Sequence, residues 1–287
     1  MRVLVTGAAG MLGQAVMPAL TAAGHTALGG DLPELDVTRR EPLERAVGDF
    51  RPDWVFHLAA LTRVDECETR QEEAFRVNAL GTRNVALAAA VAGAALLAVS
   101  TDYVFDGTAT RPYREDDTAN PQSVYGASKW AGEQAVRAVL PRHLVVRTSW
   151  LFGPGGANFV DTIAARARAG EPLRVVDDQR GSPTFTRDLA EGLLRLVGSG
   201  RLGTYHCTNS GACTWYDLAA HVVARAGAGA TLERTDTASF PRPAKRPAYS
   251  VLGNACFEQA TGWRMPPWQD AVDRHLALTA GGTGRNP

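Results

Sequence analysis

The stretch that decides the fold is Val3-Leu4-Val5-Thr6-Gly7-Ala8-Ala9-Gly10-Met11-Leu12-Gly13, near the start of the chain. It joins a short apolar run to a glycine-rich turn, and an apolar helical pattern follows over residues 12–23. Gly7, Gly10 and Gly13 permit a tight turn and close approach of the backbone to a ligand at the positive end of a helix. Strand, turn and helix in this order predict a site for a dinucleotide pyrophosphate. The spacing is G-x-x-G-x-x-G, not the commoner G-x-G-x-x-G, so a purely structural turn is the alternative.

The alternation of short apolar runs with longer helical patterns continues to about residue 150. Predicted strands lie at 3–6, 26–30, 54–58, 96–100 and 144–147, and predicted helices at 12–23, 74–91 and 125–140. Continuous apolar strands that alternate with helices are typical of a sheet covered on both faces. The sequence therefore predicts an α/β fold with a Rossmann-type doubly wound parallel sheet.

The regularity loosens after Trp150, where Gly153-Pro154-Gly155-Gly156 interrupts the pattern. Helices are predicted at 158–169, 186–197 and 214–226, and residues 240–247 read as an extended loop rich in proline and arginine. Residues 1–150 are predicted to form the NAD(P)-binding domain, and residues 151–279 a smaller mixed α/β substrate-binding lobe. Some segments of that lobe are expected to return to the Rossmann sheet. Residues 280–287 are predicted to be a disordered tail.

Composition and charge exclude several classes of partner. The chain has 287 residues with 30 basic and 30 acidic side chains, which gives no reason to expect a nucleic acid or a membrane surface as partner. The longest uncharged apolar segment, residues 85–99, is shorter than the ~18 residues of a membrane span. The cysteines show no metal or disulfide spacing, so no metal site is predicted and a cytoplasmic protein is expected; they are Cys67, Cys207, Cys213 and Cys256.

A tyrosine and a lysine in the run Tyr125-Gly126-Ala127-Ser128-Lys129 stand on one face if the run is helical. A lysine ammonium beside a phenol stabilises the phenolate, which brings a group with a pKa of about 10 closer to neutral pH. The pair could therefore transfer protons. The alternative is a half-buried aromatic side chain with a solvated lysine on the next turn.

An acidic residue, Asp31, ends the second predicted strand. A carboxylate at this place can accept hydrogen bonds from the hydroxyls of an adenosine ribose, and it would repel a 2'-phosphate. The cofactor is thus predicted to be NADPH or NADH, with Asp31 favouring NADH. Arg39 and Arg40 lie close enough in sequence to compensate, and a turn-forming aspartate is the alternative.

Several longer runs narrow the prediction. They are Ser100-Thr101-Asp102-Tyr103-Val104-Phe105, Arg147-Thr148-Ser149-Trp150, Asp178-Gln179-Arg180-Gly181-Ser182-Pro183-Thr184 and Arg246-Pro247. With the glycine turn and the Tyr125/Lys129 pair, they resemble the extended short-chain dehydrogenases and, among these, the dTDP-4-dehydrorhamnose reductase family. The resemblance extends to about Leu276.

The resemblance implies a catalytic trio of Thr101, Tyr125 and Lys129. Tyr125 would donate a proton to the alkoxide that forms as a nicotinamide delivers hydride to C4 of a keto sugar. Lys129 would bind the nicotinamide ribose and lower the pKa of the phenol. Thr101, just past a strand end, would hydrogen-bond the carbonyl oxygen.

The resemblance also implies the binding residues. Cofactor contacts fall on Gly7, Gly10, Met11, Leu12, Gly13, Asp31, Asp36, Val37, Ala60, Leu61, Thr62, Tyr125 and Lys129, and substrate contacts on Thr101, Asp102, Tyr103, Trp150 and Asn158.

The implied reaction is reduction of the C4 carbonyl of a dTDP-4-keto-6-deoxy sugar, with dTDP-4-dehydro-L-rhamnose as substrate and dTDP-L-rhamnose as product. The alternatives are a nucleotide-sugar epimerase, another 4-ketoreductase of the same fold, or a non-catalytic NAD(P)-binding regulatory subunit. Dehydration is disfavoured because Tyr103 stands where dehydratases typically have glutamate.

A monomer or a homodimer is expected. Some members of the family dimerise through magnesium held by glutamates on the first helix and on a later one. Here the first position is Gln14-Ala15, and Thr186-Arg187-Asp188-Leu189 has no paired glutamate, which argues against a metal-bridged dimer.

Overall fold

A parallel sheet forms the centre of the computed structural model, which describes residues 1–227 and 229–281. The strands are β1 (Arg2–Thr6), β2 (Thr26–Gly30), β3 (Trp54–His57), β4 (Ala95–Thr101), β5 (His143–Thr148), β6 (Leu151–Phe152), β7 (Leu173–Val176), β8 (Arg180–Gly181), β9 (Thr184–Phe185), β10 (Gly203–His206), β11 (Cys213–Thr214) and β12 (Leu232–Thr235). Six of them form the central sheet in the order β10-β5-β4-β3-β1-β2, all parallel. The direction of winding reverses between β1 and β3, so the predicted doubly wound α/β fold is confirmed.

Helices cover both faces of this sheet. They are α1 (Gly13–Ala22), α2 (Arg40–Phe50), α3 (Val64–Thr69), α4 (Gln71–Phe75), α5 (Thr82–Val91), α6 (Val124–Val139), α7 (Phe159–Arg168), α8 (Thr186–Gly198), α9 (Trp215–Ala226), α10 (Ala255–Thr261) and α11 (Trp268–Gly281). None of the helices in the described residues is both long and apolar enough to cross a membrane.

The two faces of the sheet explain why its strands are apolar without alternation. Val3 and Val5 of β1 pack into a core with α1 and α8, while Leu4 between them packs into a core with α2 and α5. Successive side chains of a strand point to opposite faces, so a strand covered on both sides is apolar at every position.

The segments after β5 form a third core. Three small sheets pair β6 with β9, β7 with β12 and β8 with β11. Helices α7, α9 and α11 pack against them through residues such as Ile163, Val222 and Val272. Between these segments, β10 returns to the central sheet and pairs with β5.

Some details of the fold differ from the sequence prediction. The helix predicted at 74–91 is interrupted by a π-helical turn, Arg76–Gly81, and α2 lies where the sequence pattern predicts no helix. The predicted tail begins too early, because α11 continues to Gly281; its remaining residues, 282–287, lie outside the described residues. Val272 and Leu276 of α11 pack into the third core, which explains why the helix persists.

Candidate active site

A cavity of about 640 Å³ opens at the carboxyl ends of the central strands. Its lining brings together most of the predicted ligand residues, from the glycine turn after β1 to Trp150 after β5. Open parallel sheets bind ligands at this edge, beside the point where the winding reverses.

The glycine turn is built for close approach of the backbone. Gly7 has a left-handed φ of +73°, and its amide donates to the Gly30 carbonyl at 3.0 Å. A Cβ at Gly7 would lie 2.6 Å from the Ala59 nitrogen, and one at Gly13 would lie 2.3 Å from the Gly7 oxygen. No side chain in the described chain caps α1, which begins at Gly13. The Gln14 and Ala15 amides donate to the Gly10 and Leu12 carbonyls, whereas those of residues 11–13 have no acceptor in the described chain and are available to a bound anion. The turn therefore fits the pyrophosphate of a dinucleotide.

Asp31 lies at the end of β2 and lines the cavity. One of its carboxylate oxygens accepts from the Ala9 amide at 2.9 Å and the other from the Leu32 amide at 2.9 Å. Both oxygens keep further lone pairs, so Asp31 can fix the turn and still meet a ribose hydroxyl. Among the lining residues that the structure describes, Lys129 carries the only positive charge.

Thr101, Tyr125 and Lys129 line the same cavity. Tyr125 and Lys129 lie on α6, whose first turn is capped by the Ser123 side chain, which accepts from the Gly126 amide at 3.2 Å. Lys129 is buried, and its Nζ donates to the Val99 carbonyl on β4 at 2.8 Å.

The pKa values of the pair follow from burial. Burial lowers the pKa of Lys129 to about 8, and the Glu133 carboxylate partly opposes this. Burial raises the pKa of Tyr125, while contact with the Thr101 side chain acts in the opposite direction. The sequence spacing predicts that the Lys129 ammonium lowers the pKa of Tyr125. In this arrangement burial dominates, so the phenol stays protonated at neutral pH.

Asp102 follows Thr101 and is 2% exposed. Its Oδ1 accepts from the Thr101 hydroxyl at 3.0 Å, while Oδ2 has no hydrogen-bond partner in the described chain. Burial raises the pKa of this carboxyl to about 6. The neighbouring Tyr103 ring meets the Tyr125 ring edge to face, with 5.6 Å between centroids.

Two stacked tryptophans form another part of the cavity wall. The Trp150 ring lies on the Trp215 ring with 3.6 Å between centroids and 7° between planes. Trp150 has a φ of +49°, which is uncommon for a residue other than glycine and costs on the order of 1–3 kcal/mol. Backbone strain of this kind persists only where the surroundings enforce it, and it is frequent at ligand sites.

Two predicted residues do not line the cavity. The Leu61 backbone is bonded to the Asn78 side chain, and the Asn158 side chain caps α7 by accepting from the Asp161 amide at 3.0 Å. Their assignment as ligand contacts stays a prediction. Lining residues that the sequence analysis missed include Leu35, Thr38, Ala59, Thr148, Ser149 and Trp215.

Position relative to the strands could have identified some of the missed residues. Thr148 ends β5 and Ser149 follows it, so both lie at the ligand edge of the sheet. Trp215 gave no such signal, because it begins a helix distant in sequence.

The two segments that hold a bridging magnesium in some family members make other contacts in this chain. The side-chain amide of Gln14 donates through Nε2 to the Ala9 and Gly155 carbonyls at 2.8 and 3.2 Å. Asp188 accepts from the Arg274 guanidinium and from Asn209. The oligomeric state stays a prediction.

The fold, the glycine turn and the helix carrying Tyr125 and Lys129 together define a dinucleotide-binding protein of the short-chain dehydrogenase/reductase class. A family model described as the RmlD substrate binding domain matches residues 1–280. The chain belongs to this family, which confirms the resemblance found in the sequence.

Similar proteins share nearly the whole chain. A dTDP-4-dehydrorhamnose reductase of Streptomyces griseus is 42% identical over 293 residues, covering 99% of this chain and 96% of the relative. A probable dTDP-4,6-dihydroxy-2-methyloxan-3-one 4-ketoreductase of Streptomyces antibioticus is 45% identical over 262 residues, covering 88% of this chain and 87% of the relative.

Two solved structures are similar to this one over nearly the whole chain. A dTDP-4-dehydrorhamnose reductase from Bacillus anthracis str. Ames in complex with NADP has a TM-score of 0.94 and 36% identity, covering 96% of this chain and 99% of that one. A UDP-glucose 4-epimerase from Thermus thermophilus in complex with NAD has a TM-score of 0.85 and 26% identity, covering 98% of this chain and 99% of that one. Structures similar to this one therefore bind NADP or NAD.

Proposed function

We propose that this chain is an NAD(P)H-dependent oxidoreductase that reduces the C4 carbonyl of a dTDP-4-keto-6-deoxy sugar, converting dTDP-4-dehydro-L-rhamnose to dTDP-L-rhamnose. One observation carries the proposal: Thr101, Tyr125 and Lys129 line a single cavity together with the glycine turn. The names of the relatives support the same reaction class.

The three side chains divide the chemistry between them. A bound nicotinamide supplies the hydride. Tyr125 holds the proton that the developing alkoxide takes, because burial keeps its phenol protonated. Lys129 places a positive charge in the same buried region. The Thr101 hydroxyl, which donates to Asp102 in this structure, turns to the carbonyl oxygen and stabilises its negative charge.

The substrate is proposed to lie against Asp102, Tyr103 and Trp150, which line the cavity beside the trio. The aromatic side chains offer apolar surface to the sugar and the base, and the Asp102 carboxyl offers hydrogen bonds to hydroxyl groups.

For the cofactor, we propose a preference for NADH over NADPH. Asp31 lines the cavity, and a 2'-phosphate would meet a carboxylate there without a lysine or arginine among the described lining residues near it. The ratio of kcat/KM for the two cofactors tests this preference, and a larger value for NADPH would refute it.

The reaction is tested by measuring NADH and NADPH oxidation with enzymatically prepared dTDP-4-dehydro-L-rhamnose, with the configuration of the product read by NMR. One mole of cofactor should be oxidised per mole of sugar. Turnover of the sugar without net oxidation would identify an epimerase and refute the proposal.

The role of Tyr125 is tested by Tyr125→Phe. Loss of a general acid should lower kcat by about 10²–10⁴-fold while leaving cofactor binding nearly unchanged. Tyr205→Phe on β10 is the matched control, since this tyrosine is not among the residues that line the cavity. Equal activity of Tyr125→Phe and the wild type would exclude the assigned role.

A further inference from the structure

A buried carboxylate, Glu133, accepts four hydrogen bonds behind the proposed active site. Its Oε1 accepts from the Ser100 hydroxyl at 2.5 Å and from Arg147 Nε at 2.9 Å. Its Oε2 accepts from Arg147 and from Arg137, both at 2.8 Å. Glu133 is 3% exposed and Arg147 is 1% exposed.

These hydrogen bonds join the elements that carry the catalytic trio. Tyr125, Lys129 and Glu133 are spaced by four residues on α6 and therefore lie along one face of that helix. Ser100 immediately precedes Thr101 on β4, and Arg147 belongs to the neighbouring strand β5. The Glu133 carboxylate thus connects α6, which carries Tyr125 and Lys129, to β4, which carries Thr101.

We infer that Glu133 is a positioning residue of the proposed reduction, which holds α6 in register with Thr101 and places a carboxylate one helical turn from Lys129. The inference rests on the proposed function. It also gives a role to Arg147 of the Arg147-Thr148-Ser149-Trp150 run, which the mechanism above does not use.

The charged and titratable groups around Lys129 are few. Tyr125 and Glu133 share its helix, and His57 faces it from β3. From β4, the Val99 carbonyl accepts the ammonium hydrogen bond. His57 is neutral, because burial and, to a smaller extent, the Lys129 charge lower its pKa to about 3. Glu133 is therefore the group that opposes the effect of burial on the lysine.

The test compares Glu133→Gln with Glu133→Asp and Arg137→Gln. The titration midpoint of Lys129 is measured by trace acetylation with acetic anhydride over a pH series, followed by peptide mass spectrometry. Glu133→Gln should lower the midpoint by about half a unit to one unit, because the nearby negative charge is lost. Glu133→Asp keeps the negative charge, so the titration midpoint of Lys129 in this variant should be close to that of the wild type. Arg137→Gln, which removes a cation from the same carboxylate, should not lower it.

Glu133→Gln leaves the Arg147 guanidinium buried without a carboxylate, so the double variant Glu133→Gln/Arg147→Met is prepared with it. Circular dichroism identifies which variants are folded. A folded Glu133→Gln variant whose Lys129 midpoint equals that of the wild type would overturn the inference. So would a folded double variant whose midpoint equals that of Arg147→Met, the reference that also lacks the Arg147 cation.

The kinetic measurement separates this inference from the proposed function. In Glu133→Gln, the alkaline limb of the pH profile of kcat/KM for NADH oxidation should shift toward acid, as the midpoint does, because both report the free enzyme. Ser100→Ala removes the hydrogen bond from the Ser100 hydroxyl to Glu133 without a change of charge. This variant should have a lower kcat without a shift of the alkaline limb. Since acetylation needs no sugar substrate, a wrong substrate would leave the Lys129 result intact.

Discussion

Replacing Gly7, Gly13 and Gly24 with alanine, one at a time, separates backbone strain from steric clash at the cofactor turn. Gly24 has a φ of +74° and open space around a Cβ, so its alanine variant has strain alone. Gly13 has no positive φ, but its Cβ would lie 2.3 Å from the Gly7 oxygen, so that variant has clash alone. Gly7 combines a φ of +73° with a Cβ 2.6 Å from the Ala59 nitrogen.

The expected losses of unfolding free energy follow from these values. Left-handed backbone costs a residue with a side chain about 1–2 kcal/mol, so Gly24→Ala should lose about 1 kcal/mol. Forcing atoms into a packed site costs about 1–3 kcal/mol, which applies to Gly13→Ala because its neighbours are backbone atoms. Gly7→Ala should lose the sum, about 2–4 kcal/mol, which is within the ~5–15 kcal/mol stability of an ordinary protein.

Urea denaturation followed by tryptophan fluorescence measures these losses, and fluorescence titration with NADH measures binding. Gly7→Ala and Gly13→Ala should weaken NADH by about tenfold or more, because the displaced backbone is the surface offered to the pyrophosphate. Gly24→Ala should bind normally. If Gly13→Ala bound NADH as well as Gly24→Ala does, the turn would not be the pyrophosphate site.

Two further predictions concern aromatic packing and pH. Trp215→Ala removes the stack under Trp150, so KM for the sugar nucleotide should rise about two- to tenfold in steady-state kinetics, while the Kd for NADH stays constant. His57 is neutral in the folded protein because burial, then the Lys129 charge, lowers its pKa from 6.5 to about 3. The difference in unfolding free energy between the wild type and His57→Gln therefore has its full value above pH 6.5. It should fall by up to about 5 kcal/mol as urea curves are recorded toward pH 3, and a pH-independent difference would refute the assignment.

Local patterns explain why much of the fold and the site could be predicted from the sequence. The glycine turn, the apolar strands and the i, i+4 pair each depend on neighbours in the chain, and the cavity collects them because strand ends meet at one edge. Trp215 and the Ser100–Glu133–Arg147 contacts could not be predicted, since they depend on packing between distant segments. The pKa of Tyr125 was expected in the wrong direction for the same reason. Spacing shows that a lysine is near, but only the fold shows how deeply the phenol is buried.

The burial of Tyr125 bears on the proton transfer that is proposed for it. A phenol with a raised pKa holds its proton at neutral pH, so Tyr125 carries the proton that a carbonyl reduction consumes, although the same shift makes the phenol a weaker acid. An epimerase must first remove a proton from a hydroxyl group with the same side chain, which needs the phenolate. Lys129, with a pKa of about 8, supplies a charge that favours the phenolate only while it is itself protonated. Loss of that charge above about pH 8 should therefore impair oxidation of an alcohol by this site. The Lys129 charge that favours the phenolate also assists release of the proton in a reduction, so it serves both directions, and net oxidation of the cofactor distinguishes a reductase from an epimerase.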